Sequence, residues 1–169
     1  MVFVGIITDI ESENNIKQLL NNNNIFSDNN VIFINEKNID NIKNVHFDTV
    51  IINKEFEKYD ELNKLLNNAK NVVINMDINI ECQILNIVNS NLITYGFNSK
   101  SSITISSVTD DDVLICVQRN IYNNYGEIEL QEIKLENNEK YSIYDLIVIL
   151  ILFLIYLPNY DEIHINSIK

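Results

Sequence analysis

The sequence predicts an α/β fold: a mostly parallel, Rossmann-like sheet flanked by helices, with an antiparallel strand extension and a final apolar helix. Three observations carry this expectation. Short, unbroken, β-branched runs alternate with amphipathic segments through the first half, as strands covered on both faces and joined by crossover helices should. After Gly96 the texture changes: further strand-like runs are followed by apolar–polar alternation in Glu127–Leu135, the mark of strands with one solvated face. Towards the C-terminus Leu146–Leu157 reads LIVILILFLIYL, with no polar atom in any side chain but the Tyr156 hydroxyl.

The strand runs are Val2–Ile7, Val31–Ile34, Thr49–Asn53, Val72–Asn75 and Leu92–Tyr95. Between them Ile10–Leu20, Glu55–Leu66 and Ile80–Val88 place apolar residues three and four apart, which gives helices with one buried stripe. Asn35–Lys43 is expected to make only a turn of helix, and Asp9 or Ser12 is a plausible cap for the first helix. Beyond Gly96, Ser102–Ser107, Asp112–Gln118 and Glu127–Leu135 are expected as antiparallel strands, with a turn at Tyr122–Gly126. No linker or internal repeat interrupts them, so one domain is expected over 1–169. Its parts are a parallel βα part at 1–97, antiparallel strands at 98–140, and the apolar helix with its tail at 141–169.

Composition narrows the function. The 169 residues can bury about 70% of the unfolded surface, so no metal or disulfide is needed to hold the fold. A formal charge of −12 with Arg119 as the sole arginine argues against nucleic acid and anionic membrane, both of which select clustered Lys and Arg. Cys82 and Cys116 have no CxxC spacing and no neighbouring His, so free, buried thiols in a reducing cytoplasm are expected. Met1–Ile10 has no cationic stretch ahead of its apolar residues, unlike a secretory signal. Leu146–Leu157, closed by Asp145 and Pro158, is shorter than the ~20 residues that span a bilayer. It reads as a helix buried on most sides, the alternatives being an interfacial helix and a helix with one face covered by a second copy or a protein partner.

Four stretches resemble the central, ATP-binding domain of Mur ligases and the related folylpolyglutamate synthases. Phe47–Asn53 (FDTVIIN) is similar to the family strand that ends in an Asn near ATP, and Val72–Asp77 (VVINMD) to its N-A-D-D turn. Ile93–Val108 (ITYGFNSKSSITISSV) is similar to the I-T-[FY]-G strand and the strand after it, and Tyr141–Ile163 to the helix that follows G-x-H-N. The resemblance implies a bacterial protein of cell-envelope or sporulation biology. The departures decide the expected activity. Where the family has G-T-x-G-K-[ST]-T, this chain has GIITDIESENN, with Asp9, Glu11 and Glu13 and no lysine before Lys17. Each carboxylate would oppose a phosphate by roughly 1–4 kcal/mol at short range. The magnesium-binding Glu, the modified lysine and G-x-H-N find no counterpart, and the sequence to Lys169 holds no third, acceptor-bringing domain. A pseudoenzyme without cofactor is therefore expected, acting as a binding or interaction module. The alternatives are a small-molecule or nucleotide-binding protein or enzyme, and a subunit that completes another ligase in trans.

Open parallel sheets bind ligands at the carboxyl ends of their strands. The ligand-binding candidates are accordingly Thr8, Asp9, Asn53, Asn75, Asp77 and Gly96, with Asn35, Glu36, Lys54 and Asn98 on the same expected rim. Asp9, Glu36 and Asp77 could hold a hard cation, although solvated strand ends and caps are the commoner use of such residues, and no metal site is predicted. Gly96 could serve only to permit a tight turn. His46 and His164 lack partners at ligand spacing, Asp110–Asp112 reads as a turn, and no G-x-S-x-G elbow or paired nucleophile is present. No catalytic residue is predicted.

Overall fold

The computed structural model describes residues 2–23, 30–42, 44–80, 90–123, 125–137 and 140–157. The elements are β1 (Val4–Ile7), α1 (Ile10–Asn23), β2 (Val31–Ile34), α2 (Ile39–Ile42), β3 (Thr49–Ile52), α3 (Tyr59–Asn67), β4 (Asn71–Asn75) and β5 (Asn91–Gly96). There follow β6 (Ile103–Val108), β7 (Asp112–Val117), β8 (Ile121–Tyr122), β9 (Glu127–Ile128), β10 (Gln131–Glu136) and α4 (Ile143–Tyr156). Eight strands form one sheet in the order β10-β7-β6-β5-β4-β3-β1-β2, and β8 and β9 make a separate antiparallel ribbon. The fold is α/β with a mostly parallel sheet, as the alternation of runs predicts.

By packing, the chain divides into two compact units: Met1–Asp9 with Phe26–Thr94, and Ile10–Ile25 with Tyr95–Lys169. In the first unit β1 pairs in parallel with β2 and with β3, and β3 with β4. Every residue of β1, β3 and β4 is buried, so unbroken Val/Ile runs are what these positions demand. Leu62, Leu65 and Leu66 of α3 are fully buried, the three- and four-residue spacing that turns one stripe inward. They join a core with Ile7, Ile34, Phe47, Ile52 and Phe56. α3 begins later than the apolar spacing predicts because the residues ahead of it serve a turn. The Glu57 amide donates to the Glu36 carboxylate at 2.9 Å, and the Glu57 carbonyl accepts from Tyr59. Most of the helix expected at Ile80–Val88 lies outside the described residues.

The second unit contains α1, the end of β5, β6 to β10 and α4. Here β6 departs from expectation. It runs parallel to β5, with Tyr95 beside Ile103 and Gly96 beside Thr104, and antiparallel to β7. A parallel pair normally needs a crossover of a dozen or more residues. Only the last residues of β5 overlap the first of β6, so the short 97–102 loop suffices. The Glu127–Leu135 stretch also departs, dividing into β9 and β10 at Glu129–Leu130. The first piece pairs with β8 and the second with β7.

The buried apolar helix is present as predicted. Every residue of α4 from Asp145 to Ile155 is buried, which explains why its sequence shows no polar face. Within the chain this stretch is covered from Asp145 to Ile155. Its start is fixed by a capping box: Ser142 Oγ accepts from the Asp145 amide at 3.1 Å, and Asp145 Oδ2 accepts from the Ser142 amide at 3.3 Å. The same Oδ2 accepts from Asn15 Nδ2 of α1 at 3.0 Å. Asp145 is fully buried, so its helix cap and its tie to α1 are one arrangement. No described helix is long and apolar enough to cross a membrane. Replacing Asp145 with Ala should cost roughly 1–2 kcal/mol in urea denaturation by loss of the cap, and Asp145→Asn should cost less.

Candidate functional site

Strand register builds the rim from the sequence upward. Ile7 lies beside Ile52 and Ile52 beside Ile74, so the next residues along, Thr8, Asn53 and Asn75, are brought side by side at the carboxyl ends of β1, β3 and β4. They are joined into a row. Asn75 Nδ2 donates to Asn53 Oδ1 at 3.2 Å, Asn53 Nδ2 to Thr8 Oγ1 at 3.3 Å, and the Asp77 amide to Asn75 Oδ1 at 3.0 Å. Asn75 is buried, Thr8 and Asn53 half-buried, and Asp9 and Asp77 exposed. The structure thus joins four predicted rim residues, Thr8, Asn53, Asn75 and Asp77, in one hydrogen-bonded group. Asp9 follows Thr8 directly.

A second row of the same kind, missed in the sequence, stands at the opposite strand ends. Thr49 and Asn71 pair at the opposite ends of β3 and β4. Asn71 Nδ2 donates to Thr49 Oγ1 at 3.2 Å, and Asn91 Nδ2 to Asn71 Oδ1 at 3.2 Å. Both rows use Thr, Asn and Asn, and they bracket the apolar residues of β3 and β4. The signal was available: polar residues flank the β-branched runs as T-VII-N and N-VVI-N. Each row satisfies polar groups at a buried strand end and resists slippage, since a one-residue shift would break every one of its bonds.

A recess of about 50 Å³ opens at the ends of β1, β2 and β3, lined by Thr8, Asn35, Glu36, Lys54 and Glu55 among others. Sites for drug-sized ligands occupy roughly 300–1,000 Å³, so a nucleotide does not fit it. Glu36 Oε1 accepts from the Glu57 amide, and Glu36 Oε2 is buried without a hydrogen-bond partner. Exposed Lys58 bonds to Asp40 at 2.7 Å, which raises its pKa above the ordinary lysine value. Among the described residues no group of three His, Cys, Asp or Glu could hold a metal ion. Asp9, Glu36 and Asp77 therefore do not converge on a cation.

The remaining candidates fall elsewhere. Gly96 belongs to the second unit, is buried, and has φ of 142°, a conformation that side-chain-bearing residues rarely adopt. Its demonstrated use is the bend out of β5. Gly5, the first residue of the GIITDIESENN stretch, lies within β1. A Cβ there would meet Ile34 Cδ1 at 2.7 Å and the Phe47 ring at 3.2 Å, so its small size serves packing. His46 is exposed, and Cys82 and His164 lie outside the described residues. Cys116 is half-buried, with Sγ 3.8 Å from Glu132 Oε1, which corrects the expectation of a buried thiol. It sits on the open face of an alternating strand. A 480 Å³ depression is lined by Asp110, Asp111, Asp112, Glu136, Asn137 and Lys134, and Lys134 is already paired with Asp112 at 2.6 Å.

No protein-family model matches this chain, and no curated protein is detectably similar to it. If the Thr8–Asn53–Asn75 row is a register clamp, Asn53→Ala should lower stability by roughly 1–2 kcal/mol in urea denaturation, because it strips partners from both neighbours. Exposed Asp77→Ala should change it by less than about 0.5 kcal/mol.

Proposed function

We propose that this chain is a non-catalytic binding module, built on the plan of a Mur-ligase central domain from which the nucleotide site has been lost. The observation that carries the reading is the β1–α1 junction. β1 ends at Ile7 and α1 starts at Ile10, so Thr8 and Asp9 alone stand where a phosphate-wrapping loop would need several backbone amides. The first turn of α1 carries Glu11 and Glu13. Carboxylates there complement the positive end of the helix dipole, the role a bound phosphate plays at such sites. Lys17, the first cation after the junction, is engaged by Glu13. Charge and loop length both oppose a polyphosphate.

In this reading the working environment is cytoplasmic, and cell-envelope or sporulation biology follows from the family likeness alone. The rim residues Asn53, Asn75 and Asp77 support a competing reading as a small-ligand site. The bonds those residues make to one another, and the small recess nearby, favour the first. A thermal-shift and calorimetric panel of MgATP, MgADP and nucleotide-linked wall precursors decides between them. The expected outcome is no heat of binding and an unchanged melting temperature. A ligand at 100 times its dissociation constant would add about 2.7 kcal/mol, several degrees, and that result with any member of the panel would defeat the proposal.

A further inference from the structure

We propose that the outer edge of β10 pairs with the same edge of a second copy of this chain, antiparallel about Ile133, continuing the sheet across a two-fold axis. Among the described residues β10 stands at one end of the strand order, with β7 as its sheet neighbour. An edge presents backbone donors and acceptors that another strand can take up. The opposite edge, β2, is four residues long and uncharged, whereas β10 runs for six residues with a charge pattern that selects a register.

That pattern alternates by face. Ile133 and Leu135 are buried, and Leu130, Glu132, Lys134 and Glu136 are exposed. Residues directly opposite in an antiparallel pair point to the same face, so Ile133 and Leu135 must meet odd-numbered residues of the second copy. Four two-fold registers centred on an interior residue of the strand satisfy this. Centring on Glu132 opposes Glu132 with itself, and centring on Lys134 opposes Lys134 with itself and Glu132 with Glu136. Centring on Ile133 sets Glu132 opposite Lys134 twice, Ile133 opposite itself and Glu136 opposite Leu130. Centring on Leu135 also sets opposite charges together, Lys134 with Glu136, but aligns only residues 134–136 of the strand. Centring on Ile133 aligns 131–135 and is the longest register that brings together opposite charges and no like ones. The charges that discourage indiscriminate edge pairing thereby admit one partner, the strand itself. Lys134 is largely exposed and pairs with Asp112 of the adjoining strand, which leaves its ammonium donors for a second carboxylate.

Sedimentation equilibrium tests this with the full chain and three charge variants. The wild type should associate reversibly to twice 19.7 kDa. E132K and K134E should each weaken association roughly tenfold or more, since each change acts at two symmetry-related pairs. The double variant E132K/K134E reverses both signs and should restore association to within about threefold of wild type. Circular dichroism checks that each variant is folded, and the restored double variant separates loss of the interface from loss of the fold. A wild type that remains monomeric at about 0.5 mM, well above the range of specific association, would overturn the proposal. So would single variants that associate as well as wild type, or a folded double variant that does not recover.

Discussion

The first unit depends on the parallel register that β1, β3 and β4 share. Their apolar residues are buried on both faces, and burial alone would tolerate a slip, because one Ile or Val replaces another at little cost. The polar rows at the two ends remove that freedom. Thr8, Asn53 and Asn75 meet only in the observed register, as do Thr49, Asn71 and Asn91. Each bond is worth about 1 kcal/mol net, but a shift would strand buried amides as well as break bonds. The hydrophobic effect gathers these strands, and the amide rows fix their alignment.

The same rows change the meaning of the strand-end rim. In many open sheets the carboxyl ends of the strands carry polar side chains because a ligand waits there. Here those side chains answer one another, and a matching row stands at the end where ligands are not expected. The abundance of Asn, which weakens any single Asn as a functional signal, becomes a structural resource when two strands are in register. The acidic first turn of α1 likewise serves the fold: its carboxylates complement the positive end of the helix dipole.

Strand identity was legible where burial was two-sided, because only short β-branched runs fit between two covering layers, and β1, β3 and β4 needed no other cue. The buried final helix was legible from Leu146–Leu157 for the same reason. Pairing direction was not legible: β6 alternates like an antiparallel strand on one neighbour and is parallel to the other. The division of β9 from β10 was visible only as a slip of phase: the apolar residues are Ile128 and Leu130 before it and Ile133 and Leu135 after it, with Gln131 and Glu132 adjacent between them. For the candidate site, the residue types were visible and their linkage was not. Thr8, Asn53 and Asn75 lie far apart in sequence, and only the register shows that they touch.

The bond from Asn15 to Asp145 joins residues 130 positions apart. α1 leaves the ribosome well before α4, so the carboxylate that engages it arrives only with the last described helix. The intervening strands are made while the apolar residues of α4 are still unsynthesised, so surfaces that this helix will cover stay open until it emerges. A high contact order of this kind slows the final step, and the waiting chain is exposed to aggregation or to chaperone capture. The all-round burial that settles the role of α4 in the finished protein thus makes it the point at which a growing chain is most vulnerable.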